Sequence, residues 1–268
     1  MTTPILTVQS LSQLTSGQEW QLSLAHDRAE HLLIWIQRGQ GRLLMDGQRS
    51  GAGTHNAIFV PSRHLFAVDL GRQSSGTVLV IPDGSEMRLP KLPRQLRIRD
   101  IRLQAELTGL FEAAQREQSS GRPLKSEAME AHGALICIWL RRQLGLEEHL
   151  PPRKSAGQRL SARFCERIAR HYSETLTMAD HAEALGVTPT HLTRACKAAT
   201  GKTAADLLTE RVLYEARMLL ASTRVPAQDI ARHLGFGSAA YFTRFMQHHT
   251  RRSPSELREP PPRQRINA

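Results

Sequence analysis

The chain has 268 residues, enough for two domains with cores of their own, and carries 36 Lys/Arg against 25 Asp/Glu for a formal net charge of +11. Three scattered cysteines, Cys137, Cys165 and Cys196, argue against a disulfide framework and against a Cys-x-x-Cys metal site. The longest apolar run, Ala134 to Leu140, is far too short to span a bilayer, and the basic excess suits a polyanionic partner instead.

No basic segment followed by a continuous apolar run opens the chain, so no secretory signal is expected and the expected location is cytoplasmic, at the nucleoid. Residues 1–95 read as short strands broken by glycine and proline. His31 to Ile36, Arg42 to Met45, Ala57 to Val60 and Thr77 to Ile81 are strand-like, and Asp46-Gly47 is a hairpin turn signal. Several short strands at close spacing suggest a small sandwich or barrel. Trp35 and His64 are candidate walls of a pocket for a small organic effector, with Arg38 or Arg63 available for an acidic one. His26, His31, His55 and His64 invite a metal reading. However, no His-x-His pair with a following carboxylate is present, so no metal, cofactor or catalytic residue is expected.

From residue 96 to 147 the period changes. Leu103, Leu107, Leu110, Phe111 and Ala114 share a helical face, and a second helix should run from near Lys125 to Leu144. Its Ala134 to Leu140 run is apolar nearly all round and needs cover on more than one side. One face, with Ile138 and Trp139, is expected to join a second subunit in a homodimer. Residues 148–158 read as a linker, residues 159–258 as an all-helical domain, and the Pro- and Arg-rich 259–268 as a disordered tail.

The helical domain contains one pattern twice. Asp180, Ala182, Leu185 and Gly186 lead into Thr188-Pro189 and then Leu192-Thr193-Arg194; Asp229, Ala231, Leu234 and Gly235 lead into Ser238 and then Phe242-Thr243-Arg244. The offset is 49 residues as far as the glycine and 50 at the Thr-Arg pair. The alanines are small where two helices cross, the glycines suit a tight turn, and the leucines and Phe242 hold the second helix across the first. Thr177 with Asp180 forms a capping box, and Thr188 and Ser238 cap the two candidate recognition helices. Residues 158–268 hold 17 basic against 10 acidic residues, so most of the charge excess lies with the repeat.

With the closing Ser253-Pro-Ser-Glu256, this region resembles the DNA-binding domain of the AraC/XylS family of transcription regulators over roughly 160–258. The resemblance implies seven helices, two recognition helices in successive major-groove faces, an N-terminal cupin-like sensor barrel that helps dimerise, and RNA polymerase as a partner. Gly39-x-Gly41, Asp46-Gly47 and Pro61-x-x-His64 are similar to cupin turns. Thr190, Thr193 and Arg194, and Ala240, Thr243 and Arg244, map onto base-facing positions; Thr188, His191 and Ser238 lie beside them. Lys197, Arg211, Arg217 and Arg232 are candidate phosphate contacts. Three positions depart from the family pattern: His181 stands where an aliphatic residue is usual, Glu210-Arg211-Val212 where arginines are common, and Arg251 where glycine is usual.

The expected protein is therefore α+β, with a cupin-like β-barrel and helices followed by an all-α domain with two helix-turn-helix motifs. It is expected to be a non-enzymatic regulator, more an activator than a repressor, that binds double-stranded DNA and has no membrane association. The alternatives are a metal-dependent cupin enzyme fused to a DNA-binding domain, and a non-specific DNA-architectural protein.

Overall fold

The computed structural model describes residues 6–71, 73–146 and 152–258. The expected tail at 259–268 and the start of the expected linker lie outside them. Eight strands make two antiparallel sheets. The larger has the order β1 (Thr7–Ser10), β7 (Ser75–Ile81), β2 (His31–Arg38), β5 (Asn56–Val60) and β8 (Arg94–Arg97); the smaller is β4 (Gln48–Gly53), β3 (Gln40–Met45) and β6 (Phe66–Leu70). Strand period sorts their side chains. Leu32, Ile34, Ile36, Val78 and Val80 face Leu43, Ala52, Phe66 and Val68 across the inter-sheet core. Leu33, Trp35, Phe59, Leu79 and Ile81 point the other way, under Leu107 and Phe111 of α3 (Ile101–Gln118) and Ile136 and Trp139 of α4 (Lys125–Leu144). Burial on both faces explains why His31 to Ile36 is apolar almost without interruption.

Two expectations change here. Trp139 is 1% exposed and packs inside the subunit, so the outward face of α4 is marked instead by Leu135 and Ile138, at 49% and 39% exposure. Strand β8 crosses the expected boundary at 95/96 because buried Leu96 extends the larger sheet, pairing with Ala57. Two single-turn helices, α1 (Leu11–Leu14) and α2 (Trp20–Ser23), were also not anticipated; four residues are too few to display a helical period. All three cysteines are buried, and burial pushes the thiols up, Cys137 to about 12 and Cys196 to about 11.

Seven helices follow: α5 (Ala156–His171), α6 (Met178–Glu183), α7 (Pro189–Thr200), α8 (Ala204–Ser222), α9 (Ala227–His233), α10 (Ala239–Thr250) and α11 (Pro254–Arg258). They do not hang free of the sheets. Leu160, Phe164, Leu192 and Leu207 share one core with Ala25, Leu44, Leu65 and Ala67, so α5 and its neighbours cover the outer face of the smaller sheet. The second unit has its own core of Leu213, Leu220, Ile230, Phe242 and Met246.

Helix α8 joins the two units and is also bolted to the strand domain. Arg211, 4% exposed, donates to Asp27 at 2.6 Å and to Glu215 at 2.9 Å, and its guanidinium lies 3.6 Å from the centroid of the Tyr172 ring. Alongside it, His26 stacks on Tyr214 at 4.1 Å, Arg217 covers the Trp20 ring at 4.1 Å, and the Ala25 amide donates to Glu210 at 3.1 Å. A second bolt lies at the β3–β4 turn. Asp46 and Gly47 adopt φ of +54° and +65°, as the expected two-residue hairpin requires. A Cβ on Gly47 would collide with the backbone of Ala162 in α5. Ser161 donates to the Gly47 carbonyl at 2.7 Å, and Lys154 pairs with Asp46.

Candidate nucleic-acid interface

Both helix-turn-helix units are built from the same local parts. In the first, the Thr177 hydroxyl accepts from the Asp180 amide while the Asp180 carboxylate accepts from the Thr177 amide, which starts α6. That reciprocal pairing holds the exposed Asp180 carboxyl below its usual range. Gly186 at φ +71° then turns the chain, and Thr188 caps α7 with Pro189 in its first turn. In the second, Gly235 turns at φ +76° and Ser238 accepts from the Tyr241 amide to cap α10. Ala182 and Ala231 are buried at the two crossings, as are Leu185, Leu192, Leu234 and Phe242.

His181 shows how a polar side chain fits where an aliphatic one is usual. It is buried, its Nδ1 accepts from Arg167 Nε at 3.1 Å, and its ring meets Phe164 edge-on at 5.8 Å. Burial first, then the Arg167 charge, lowers its pKa and keeps it neutral. Arg251 also fits. At φ +60° it takes the left-handed conformation that Gly201 takes at +78° after α7, and its amide closes α10 onto Gln247 in the same way.

The outward stripe of α7 comprises Thr190, Arg194 and Lys197, all exposed, with His191 beside it, Thr193 half-buried and the left-handed Gly201 closing the helix. The corresponding stripe of α10, 50 residues on, is Ala240, Arg244 and Gln247, with Thr243 half-buried and the left-handed Arg251 closing the helix. The arginines present five donors each in a fork suited to guanine edges or phosphate oxygens. Thr188 and Ser238 use their hydroxyls to cap α7 and α10 and lie outside the two outward stripes. Thr243 turns its hydroxyl onto the Ala239 carbonyl at 3.0 Å, which leaves its methyl as the outward group.

Sequence reading missed Gln247, His248 and Tyr241, all exposed on α10, with Tyr241 at 55%. The repeat register did carry the signal for Gln247, which stands where Lys197 stands in the first unit. Arg211 was expected as a phosphate contact and is excluded from that role by its burial between Asp27, Glu215 and Tyr172. Arg217 lies over Trp20, where burial lowers its pKa to about 10. Arg232 is exposed and pairs loosely with Asp229 at 3.4 Å.

The four candidate effector residues are not brought together. Trp35 faces α3, where its Nε1 donates to Thr108 at 3.1 Å. Arg38 is exposed at the end of β2; Arg63 is exposed and reaches Asp83 at 3.8 Å; and His64 bonds the Ser62 carbonyl at 3.0 Å. A different cavity, of about 190 Å³, opens between α1–α2 and β6, lined by Leu11, Leu22, Val68 and Leu70 with the hydroxyls of Ser12 and Ser23. Among the described residues, no group of three or more His, Cys, Asp or Glu stands close enough to hold a metal ion, and no helix is long and apolar enough to cross a membrane.

Residues 181–260 match the family described as Helix-turn-helix domain. Over 122 residues, 45% of this chain, the sequence is 28% identical to the arabinose operon regulatory proteins of Salmonella typhimurium (strain LT2) and Escherichia coli (strain K12). The chain covers 42% and 41% of those relatives, so it matches about two fifths of their length. Among solved structures, an apo ToxT variant from Vibrio cholerae aligns over 95% of this chain and 97% of that one at 12% identity and a TM-score of 0.43.

Proposed function

On the premise that its C-terminal helices are a helix-turn-helix domain of the AraC type, we propose that this chain is a sequence-specific transcription regulator, an activator controlled by a small organic effector. The observation that carries the reading is the pair of exposed stripes in matching register, Thr190/Arg194/Lys197 and Ala240/Arg244/Gln247, set on capped helices after two left-handed glycines. Arg194 and Arg244 read bases, Thr190 and His191 add hydroxyl and imidazole contacts, and Ala240 and the Thr243 methyl lie against thymine methyls. Lys197 and Arg232 hold phosphates.

The effector enters the cavity beneath α1–α2. Its volume of about 190 Å³ suits a small molecule, and a lining of leucines and hydroxyls that also includes Glu19 and Asp69 disfavours the acidic one that Arg38 or Arg63 would select. Trp20 of α2 touches both Tyr214 and Arg217 of α8, so a ligand that shifts α2 alters the footing of the helix joining the two readers.

A second copy docks on α4. Its outward face carries Ala131, Leu135 and Ile138, with Glu127 and Glu130 before them and Arg141 and Arg142 after. An antiparallel partner sets each acidic end against a basic end, the self-complementary pattern a two-fold dimer needs.

Selection of bound duplexes from a random pool, followed by titration of the full chain against the selected site and random duplex at one salt concentration, tests the reading. A preference of about 10³-fold or more is expected. Equal affinity for both would overturn sequence-specific regulation and leave an architectural DNA binder.

A further inference from the structure

We propose that the strand domain itself contributes to the DNA-contacting surface, through Arg49 of β4, which stands at the C-terminal end of α7 and holds a backbone phosphate. The inference rests on the DNA-binding reading above and adds to it a contact outside the helix-turn-helix domain. Arg49 lies 140 residues before the start of α7 in the chain, yet its Nη1 sits 3.1 Å from where a Cβ on Gly201 would be. Gly201 is the exposed, left-handed residue that closes α7, its amide bonded to the Lys197 carbonyl. The guanidinium therefore stands at the C-terminal end of α7, one turn beyond Lys197.

The placement of the Arg49 backbone is fixed by the bolt that joins the β3–β4 turn to α5. The β3–β4 turn is seated on α5 by the close approach of Gly47 to Ala162, by the Ser161 hydrogen bond to Gly47 and by the Lys154–Asp46 pair. Arg49 follows two residues later, on the same sheet face as Leu44, its partner across the ladder, and Leu44 belongs to the core shared with α5 and α7. The hairpin therefore holds Arg49 in one position relative to the recognition helix. Its surroundings suit an anion. Arg42 on the same face has Asp69 as a cross-strand partner, whereas Arg49 stands opposite Leu44. Gly201 supplies no side chain that would screen the guanidinium from a ligand lying along the stripe. An exposed arginine at the end of a helix that itself presents Arg194 and Lys197 matches the chemistry of a phosphodiester strand flanking the major groove.

The test uses the full chain and a random-sequence duplex, with dissociation constants measured across a salt series. Arg49→Ala should weaken binding about three- to tenfold near 0.1 M salt and lower the log–log salt slope by about 0.9, the loss of one phosphate contact. Arg49→Glu should weaken it further, and Arg49→Lys should retain most of the affinity and the slope. Arg102→Ala, at an exposed site on α3, serves as the matched loss of charge and should change little. Two results would overturn the inference: unchanged affinity and slope in Arg49→Ala and Arg49→Glu, or weakened binding with an unchanged slope that lysine does not rescue, which marks Arg49 as a support for the end of α7. Failure of the unmodified chain to bind any duplex would instead remove the DNA-binding reading and this contact with it.

Discussion

At the scale of single residues, the reading groups and the buried histidine make separable predictions. Arg194→Ala should cost about 1–3 kcal/mol of binding to a selected site and relax the preference at one or two base pairs, measured across single-base variants. Arg232→Ala should weaken all duplexes alike, as the phosphate contact proposed for that exposed side chain requires. His26 acts on stability. Burial, then the charges of Arg28 and Arg211, lower its pKa to about 3, against a donated hydrogen bond to the Leu24 carbonyl that favours the charged form. The unfolded chain, with a histidine pKa near 6.5, therefore binds the extra proton over the window between about 6.5 and 3. Stability is complete above that window and falls with pH through it, at up to about 1.4 kcal/mol per unit for this residue. Chemical denaturation at pH 7 and pH 5 should show the loss, and His26→Phe should flatten it; an unaltered pH dependence in that variant would contradict the assignment. His31, His181 and His249 are lowered too, so some slope should persist. The exposed positions of Thr190, Arg194 and Arg244 on α7 and α10 were legible in the sequence because a duplicated motif assigns them a place. The burial of Arg211 was not, since it depends on Asp27, 184 residues away.

At the scale of elements, local chemistry was the most readable part of the sequence. The capping box at Thr177, the caps at Thr188 and Ser238, and the hairpin at Asp46-Gly47 all depend on neighbouring residues, and all four form. Short elements held by distant partners escaped: β1 exists because it pairs with β7, β8 because it pairs with β5, and neither has a period of its own to display. The turn after α10 offers a direct test of backbone chemistry. Arg251 holds a conformation that side chains with a Cβ adopt at a cost, so Arg251→Gly should stabilise the chain by about 0.5–1 kcal/mol after the greater freedom of glycine in the unfolded state is offset. Equilibrium unfolding decides the sign, and destabilisation would show that the Arg251 side chain makes contacts that outweigh the strain. Gly47→Ala should do the reverse, because its new methyl meets the Ala162 backbone as well as a positive φ.

At the scale of the whole molecule, the domains are less separate than their sequence suggests. The resemblance treated the strand domain and the C-terminal helices separately and said nothing of how they meet, so the shared core of Leu44, Ala67, Phe164 and Leu192 was beyond reach of motif or period. Asp27→Ala should leave Arg211 buried with Glu215 as its remaining carboxylate partner and cost about 3 kcal/mol, read as a lower melting temperature and faster proteolysis between the domains. Ile138→Lys should yield a folded monomer by sedimentation, whereas Trp139→Lys should fail to fold, because only Ile138 faces outward. The larger sheet carries a further consequence for anyone dividing the chain into pieces. Its strands are covered by helices on one side and by the smaller sheet on the other. A fragment ending near residue 97 would leave Trp35, Phe59, Leu79 and Ile81 bare to solvent, and should be recovered as aggregate. Extending it to residue 146 restores α3 and α4 but leaves Leu44, Leu65 and Ala67 without their helical cover. Solubility should therefore rise in two steps along the chain, the first when α4 is complete and the second only when α5 to α8 have been added.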